Sequence, residues 1–358
     1  MFLGAKFPVD LETWSRGFHR VVRWVKLQTN TRGRAGSIAL ACRYGVKVFL
    51  GLDGAFGSNP EKPWTLVRGV VTISPVVLSA LKGLLSPDTL SRLTPLGGFE
   101  ARVYTDGERV YKVYRPGEAH LAALEAGRMA RAGLGSFVLG VAQVEGQGVL
   151  VIRHFPGKPF SPEAFTSKAL AALSHLFLSL HRLPEPGYVE REELSERLER
   201  FAESLGSVPE ALSLIKALMR EVAWVAGVEK RFCHRDAWAG NLLLKTQENP
   251  SHDDPEVLLV DWVRSGGDDP ARDLALLKTG SLDLLGEKRA REALFRLVQF
   301  YPKEVRERLA FYVPLTYLHD LHWFRTKKPE GFLEALADKL PRALSFFQDC
   351  FPLRNRAC

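Results

Sequence analysis

Over residues 11–27, Leu11, Trp14, Phe18, Val21, Val22 and Val25 recur at three- and four-residue spacing, while Arg16, Arg20, Arg23 and Lys26 share much of the remaining surface. That period predicts an amphipathic helix. After the basic loop TNTRGRAG, the segments SIALACRY, VKVFLG and TLVRGVVTIS read as strands, and Tyr44-Gly45 marks a hairpin turn. A second helix is expected at about 75–85. Ser86-Pro87-Asp88 then supplies a new helix start. Residues 1–85 are therefore expected to form a small α+β unit of their own.

In LTPLGGFEARVYTDGERVYKVYR, apolar and polar residues alternate on both sides of Asp106-Gly107, which predicts a hairpin. Gly97 and Gly98 stand at its entrance. Without a Cβ, such a pair lets backbone N–H groups approach phosphate oxygens, and it also serves as a simple turn. Lys112 lies among Val110, Tyr111, Val113 and Tyr114, an apolar setting for an ammonium group. In the helix that follows, Leu121, Glu125 and Met129 are four apart and share an inward face. A carboxylate there needs a cation to offset its desolvation. Glu125 is thus the natural partner of Lys112, with Glu118 at the helix start as the competitor.

GVLVIRHFPGKPF reads as a buried strand ending at a Pro-Gly corner, and LSLHRLPEPG as the end of a helix in which His181 has a structural place. FCHRDAWAGNLLL sets polar residues between two apolar flanks. The flanks read as short buried strands and the centre as a tight loop that aims side chains. DWVRSGGDDPARDLALL makes a loop and then a helix from about Pro270, and the rest, to about residue 347, is mostly helical in pattern. Strands first and helices afterwards predict an α+β bilobal arrangement with a hinge near 153–157. The expected boundaries are 1–85 for the N-terminal module, 86–155 for a small β-rich lobe and 156–350 for a helical lobe.

Composition refines this picture at two points. The formal charge of +8 sits wholly in residues 1–85, which hold 12 Lys or Arg against 4 Asp or Glu, while residues 86–358 balance 37 against 37. A basic face at 16–34 is accordingly a candidate surface for an anionic partner. The four cysteines, Cys42, Cys233, Cys350 and Cys358, show no CxxC spacing, so neither a zinc site nor a disulfide framework is expected. No apolar run approaches the roughly 18 residues of a membrane span, and the N-terminus lacks a secretory pattern; a cytoplasmic protein is expected.

Taken in order, these windows resemble the aminoglycoside phosphotransferase family of the protein-kinase-like fold, with choline, fructosamine and homoserine kinases as relatives. PLGGFEARVY is similar to its glycine loop, VYKVYR to its lysine strand and VLVIRHFPG to its hinge. LHRLP is similar to its Leu-His-x-Leu-Pro element, CHRDAWAGN to its catalytic loop, and LVDWVRSGGDDPARDLA to its metal loop and following helix. The resemblance covers roughly residues 90–345. It implies that Asp236 accepts or orients an acceptor hydroxyl, that Asn241 and Asp261 ligate Mg2+, and that Lys112, held by Glu125, binds the phosphates of ATP. It also implies that Gly97 and Gly98 close over those phosphates and that backbone groups at Arg153, His154 and Phe155 meet the adenine, with His234 and Asp273 bracing the catalytic loop. The chain departs from the pattern in having Arg235 and Asp268 where many members have Gly, and Val263 where many have an acid.

The expected function is ATP- and magnesium-dependent phosphoryl transfer to a hydroxyl of a small molecule. Such chemistry is mostly positioning and charge neutralisation, which is why it needs a phosphate cradle, hard oxygen ligands and an acceptor-orienting carboxylate. Residues 282–345 hold 12 basic and 9 acidic groups, a poor wall for a polycationic antibiotic. A Ser/Thr protein kinase on the same scaffold is one alternative. Another is a noncatalytic module that binds nucleic acid through residues 16–34, although no aromatic stacking platform accompanies that basic stretch.

Overall fold

The computed structural model describes residues 37–41, 47–51, 80–97, 101–185, 193–245 and 256–350. The helix expected over 11–27, the basic face at 16–34, the strand over 65–74, the first part of the helix at 75–85, Gly98, Cys42 and Cys358 lie outside the described residues. The chain divides into two compact units, Met1–His154 and Phe155–Cys358.

In the first unit, β1 (Ser37–Ala41) and β2 (Lys47–Gly51) pair antiparallel, with Ser37 opposite Gly51; the turn expected at Tyr44-Gly45 lies outside the described residues. α1 (Pro87–Ser91) begins at the expected signal. Ser86 Oγ accepts the Thr89 N–H at 3.3 Å, and Pro87 occupies a first-turn position whose N–H would have no helical partner. There follow β3 (Thr94–Gly97), β4 (Arg102–Thr105), β5 (Arg109–Val113), α2 (His120–Met129), β6 (Val138–Val144) and β7 (Gln147–Arg153). The five strands form one antiparallel sheet in the order β3-β4-β5-β7-β6.

The β4–β5 hairpin turns at Asp106-Gly107. Asp106 Oδ1 accepts the N–H groups of Glu108 at 3.0 Å and Arg109 at 2.8 Å, and Gly107 takes φ 94°, which a side chain would resist. One face of the sheet packs Tyr104, Tyr111, Val113 and Val149 against Leu81 and Leu93. Alternation along β5 turns Lys112 to the other face. A Cβ at Gly148 would stand 2.4 Å from the Ala119 carbonyl oxygen, so this glycine lets the start of α2 settle directly on β7, the neighbour of β5.

In the second unit the elements are β8 (Gly157–Pro159), α3 (Ser167–Arg182), α4 (Leu194–Leu205), α5 (Pro209–Val225), β9 (Arg231–Cys233), β10 (Leu242–Lys245), β11 (Val257–Leu259), β12 (Gly266–Asp268), α6 (Pro270–Gly280), α7 (Glu287–Val298), α8 (Lys303–Lys327) and α9 (Phe332–Cys350). β10 pairs antiparallel with β8 on one side and β11 on the other, and β9 pairs with β12. The pairing of β12 is a departure from the plain loop expected there. Gly-Gly-Asp has no strand propensity, and only its register with β9, Gly266 opposite Cys233, makes it one.

α8 is buried over most of its middle, from Leu309 to Leu318, and packs against α4, α5, α6 and α9. Such a helix has no polar face and serves as the unit's core. Phe232 and the fully buried Trp262 stack with centroids 6.2 Å apart. Cys233 and Cys350 are free thiols, and burial pushes the Cys350 thiol up to about 11. Among the described residues no helix is long and apolar enough to cross a membrane.

Candidate active site

The first unit brings Lys112 and Glu125 together. Lys112 Nζ lies 2.7 Å from Glu125 Oε2, with both side chains almost wholly withdrawn from solvent. The same carboxylate oxygen accepts the Tyr114 hydroxyl. Of the two acids weighed for Lys112, the inward-facing Glu125 is thus in contact, as the four-residue spacing on α2 anticipated. Gly97 closes β3 after a bulge in its pairing with β4.

At the end of β7, the Arg153 guanidinium sits 4.3 Å over the Phe137 ring. The His154 N–H donates to the Glu108 carbonyl at 2.8 Å and is therefore already committed. Burial lowers the His154 pKa, opposed by the Asp106 charge. Phe155 is buried at the start of the second unit.

The second unit carries the polar loop between β9 and β10. Asp273, on α6, accepts the His234 N–H at 2.8 Å through Oδ2 and the Arg235 N–H at 2.7 Å through Oδ1. Its Oδ2 also lies 3.1 Å from Nε2 of His181, whose Nδ1 is 2.8 Å from the Tyr301 hydroxyl. Burial raises the Tyr301 pKa, so the phenol is neutral and can donate to Nδ1. His234 is fully buried beside Trp262, and its Nε2 lies 3.1 Å from the Val260 carbonyl, which fixes the proton on that nitrogen. From below, Ser281 Oγ donates to the Ala237 carbonyl at 3.3 Å.

Asp236 is half-buried. Asn241 Nδ2 donates to its carbonyl at 3.0 Å and to its carboxylate Oδ2 at 3.1 Å. This spends the amide's donors on Asp236 and turns its oxygen elsewhere; among the described residues that oxygen accepts no hydrogen bond. The Val260 N–H donates to the Asn241 carbonyl at 2.9 Å, so the stretch that ends in Asp261 runs beside Asn241. Asp261 itself adopts φ 67°, in the left-handed region. An amide oxygen and a half-buried carboxylate on adjacent stretches are hard donors and fit a magnesium ion.

The two unusual residues, Arg235 and Asp268, prove to be neighbours. Arg235 Nε lies 3.9 Å from Asp268 Oδ2, and Arg272 approaches the same oxygen at 3.4 Å. One departure from the family pattern thus answers the other. Asp269, the next residue, caps α6 through the Ala271 N–H and takes a two-point ion pair from Arg308 at 2.6 and 3.0 Å. Sequence reasoning missed Tyr301, Ser281 and Arg308. Each reaches the loop or its supporting helix from far along the chain, and no local pattern marks them.

Three solved structures show the same fold. A choline/ethanolamine kinase family protein from Mesorhizobium loti has a TM-score of 0.55 at 21% identity, over 74% of this chain and 90% of its own. Aminoglycoside 2′-phosphotransferase-IIIa, solved as a variant in complex with GDP, has a TM-score of 0.55 at 14% identity, over 75% and 96%. Choline kinase LicA from Streptococcus pneumoniae has a TM-score of 0.52 at 17% identity, over 76% and 98%. These likenesses establish a protein-kinase-like α+β fold. A comparison with curated protein sequences returns no match. The model of the phosphotransferase enzyme family, APH, matches residues 93–312, more than half of the chain, and on that match the chain belongs to this family of phosphotransferases.

Proposed function

We propose that the protein transfers the γ-phosphoryl group of ATP, with magnesium, to a hydroxyl of a small molecule. The observation that carries this reading is the way Asn241 holds Asp236. Its amide donors fix the carboxylate that would orient the acceptor, and its remaining oxygen suits a metal. Magnesium, when bound by Asn241 and Asp261, would neutralise phosphate charge. Lys112, held in place by Glu125, would hold phosphate oxygens in the manner of a point charge. Backbone groups at 153–155 other than the committed His154 N–H would face the base, and Gly97 with Gly98 would cover the phosphates. Asp236 would receive the hydroxyl's hydrogen bond and orient its oxygen for in-line attack.

A nucleotide complex of a structural relative supports nucleotide use. The protein-kinase alternative is weaker. The arginine that in a protein kinase answers an activation-loop phosphate is here opposite Asp268. The test is a screen of hydroxylated metabolites and protein substrates for ATP consumption, with Asp236→Asn as the control. That variant should retain nucleotide binding and lose ~100- to 10,000-fold in turnover. Wild-type turnover by the variant would remove Asp236 from its role, and no ATP consumption with any acceptor would count against the reading as a whole.

A further inference from the structure

The outer side of α3 carries a groove of about 500 Å³ that none of the phosphoryl-transfer residues enters. It takes residues from every turn of that helix between Ser167 and Arg182, among them Leu170, Ala171, His175 and Leu178. Arg296, on the last turn of α7, and Phe300, just beyond it, close one side. At a rise of ~1.5 Å per residue, this stretch of α3 is about 22 Å long. The shape is a trough one helix in length.

Its chemistry is one-sided. Arg182, Arg296 and His175 line the trough, and among the described residues no carboxylate does. Among the described residues neither arginine makes an ion pair, although Glu292 stands one turn before Arg296 on the same helix. Phe300 is 64% exposed, and Phe295, nearby on α7, is 69% exposed. Unanswered guanidinium groups beside exposed rings suit carboxylates that arrive together with apolar side chains. We propose that this trough docks an acidic amphipathic helix of a partner protein, its apolar stripe on Ala171, Leu178 and Phe300 and its carboxylates on Arg182 and Arg296.

The test begins with a displayed library of helical peptides selected on the full chain. Enriched peptides are then titrated by fluorescence anisotropy against wild type, Ala171→Trp and the double variant Arg182→Glu with Arg296→Glu. Ala171 and both arginines are exposed, so folding should persist, and melting curves check it. The expected peptides carry Asp or Glu flanking an apolar stripe of three- and four-residue spacing. Both variants should weaken them by about tenfold or more, and added salt should weaken them further. Failure to enrich any peptide overturns the proposal, as does enrichment of peptides that bind both variants as tightly as wild type. Citrate stabilising wild type but not the double variant, with no peptide enriched, would replace the helix with a small anion and overturn it equally.

Discussion

Asp273 holds Arg235 in a backbone conformation that an arginine does not favour. Its Oδ1 accepts the Arg235 N–H at 2.7 Å while Arg235 sits at φ 68°. The left-handed region costs a non-glycine residue ~1–2 kcal/mol. That cost is sustained by a carboxylate that also binds the His234 N–H and His181, so the residue just before Asp236 is tied through Asp273 to both α6 and α3.

The strain is measurable by comparing Arg235→Gly with Arg235→Ala. Both lose the contact with Asp268, so that term cancels. Glycine gains ~1–2 kcal/mol at this φ and loses ~0.5–1 kcal/mol to its freer unfolded chain. The glycine variant should therefore be the more stable by about 0.5–1 kcal/mol in denaturant titration. Equal midpoints would mean that the loop relaxes out of the left-handed region once the guanidinium is gone.

Asp273→Ala leaves a buried N–H, a part-buried N–H and a buried histidine without their acceptor. Each unsatisfied donor costs ~1–3 kcal/mol, so a loss of several kcal/mol is expected, and the folded fraction should turn over poorly. Asp273→Asn keeps one acceptor oxygen and should fall between this variant and wild type in both melting temperature and turnover. If Asp273→Ala melted like wild type, the loop would have to be held by something else.

The sequence made this loop legible because its motif is local: His234, Asp236 and Asn241 lie within eight residues between two apolar flanks. The Lys112–Glu125 pair was legible for a related reason, since strand alternation and a helical four-residue spacing each point one side chain inward. What closes the loop from outside was not. Tyr301 meets His181 across 120 residues and Arg308 meets Asp269 across 39, and such pairings leave no trace in a window of sequence. The β12 strand was hidden because its residues are glycines, whose strand character exists only in the pairing with β9.

Asp261 is the residue on which the metal assignment rests most directly. If it binds magnesium with ATP, nucleotide at about 100 times its dissociation constant should stabilise the wild type by ~2.7 kcal/mol, and Asp261→Ala should abolish most of that. Asp261→Asn tolerates the left-handed backbone, so it should keep the apo stability and still lose the magnesium-dependent part. A wild-type melting temperature indifferent to ATP and magnesium would refute the assignment.

Asp106 supplies a pH dependence in the first unit. Burial would raise its pKa, but hydrogen bonds from the Arg109 N–H, the Tyr111 hydroxyl and the Glu108 N–H prevail and hold it below the usual carboxylate value. A depressed carboxylate contributes stability that is fully present above its unfolded pKa of ~3.9 and is lost as pH falls through the lower folded value. Asp106→Asn should therefore melt lower than wild type at neutral pH, and the gap should close below about pH 4. A gap independent of pH would assign the loss to turn geometry alone.

The Lys112–Glu125 pair separates stability from chemistry. Removing one partner of a buried pair strands the other, so Glu125→Ala should cost ~3–5 kcal/mol, and the Tyr114 hydroxyl loses its acceptor as well. Lys112→Met should cost less, because Glu125 keeps its bond to the Tyr114 hydroxyl. Replacing both, Lys112→Met with Glu125→Leu, removes the charges together and should restore most of the loss, since a buried ion pair is often no better than an apolar pair of similar volume. If the pair existed for stability, the double variant would be as active as it is stable. Instead it should fold and melt near wild type while binding ATP weakly, because the charge that Lys112 would offer to phosphate is gone. Calorimetric titration of ATP into the double variant, beside its denaturant midpoint, reads both quantities. Tight ATP binding by a stable double variant would strip Lys112 of its phosphate role and leave the pair as a structural feature of the sheet and α2.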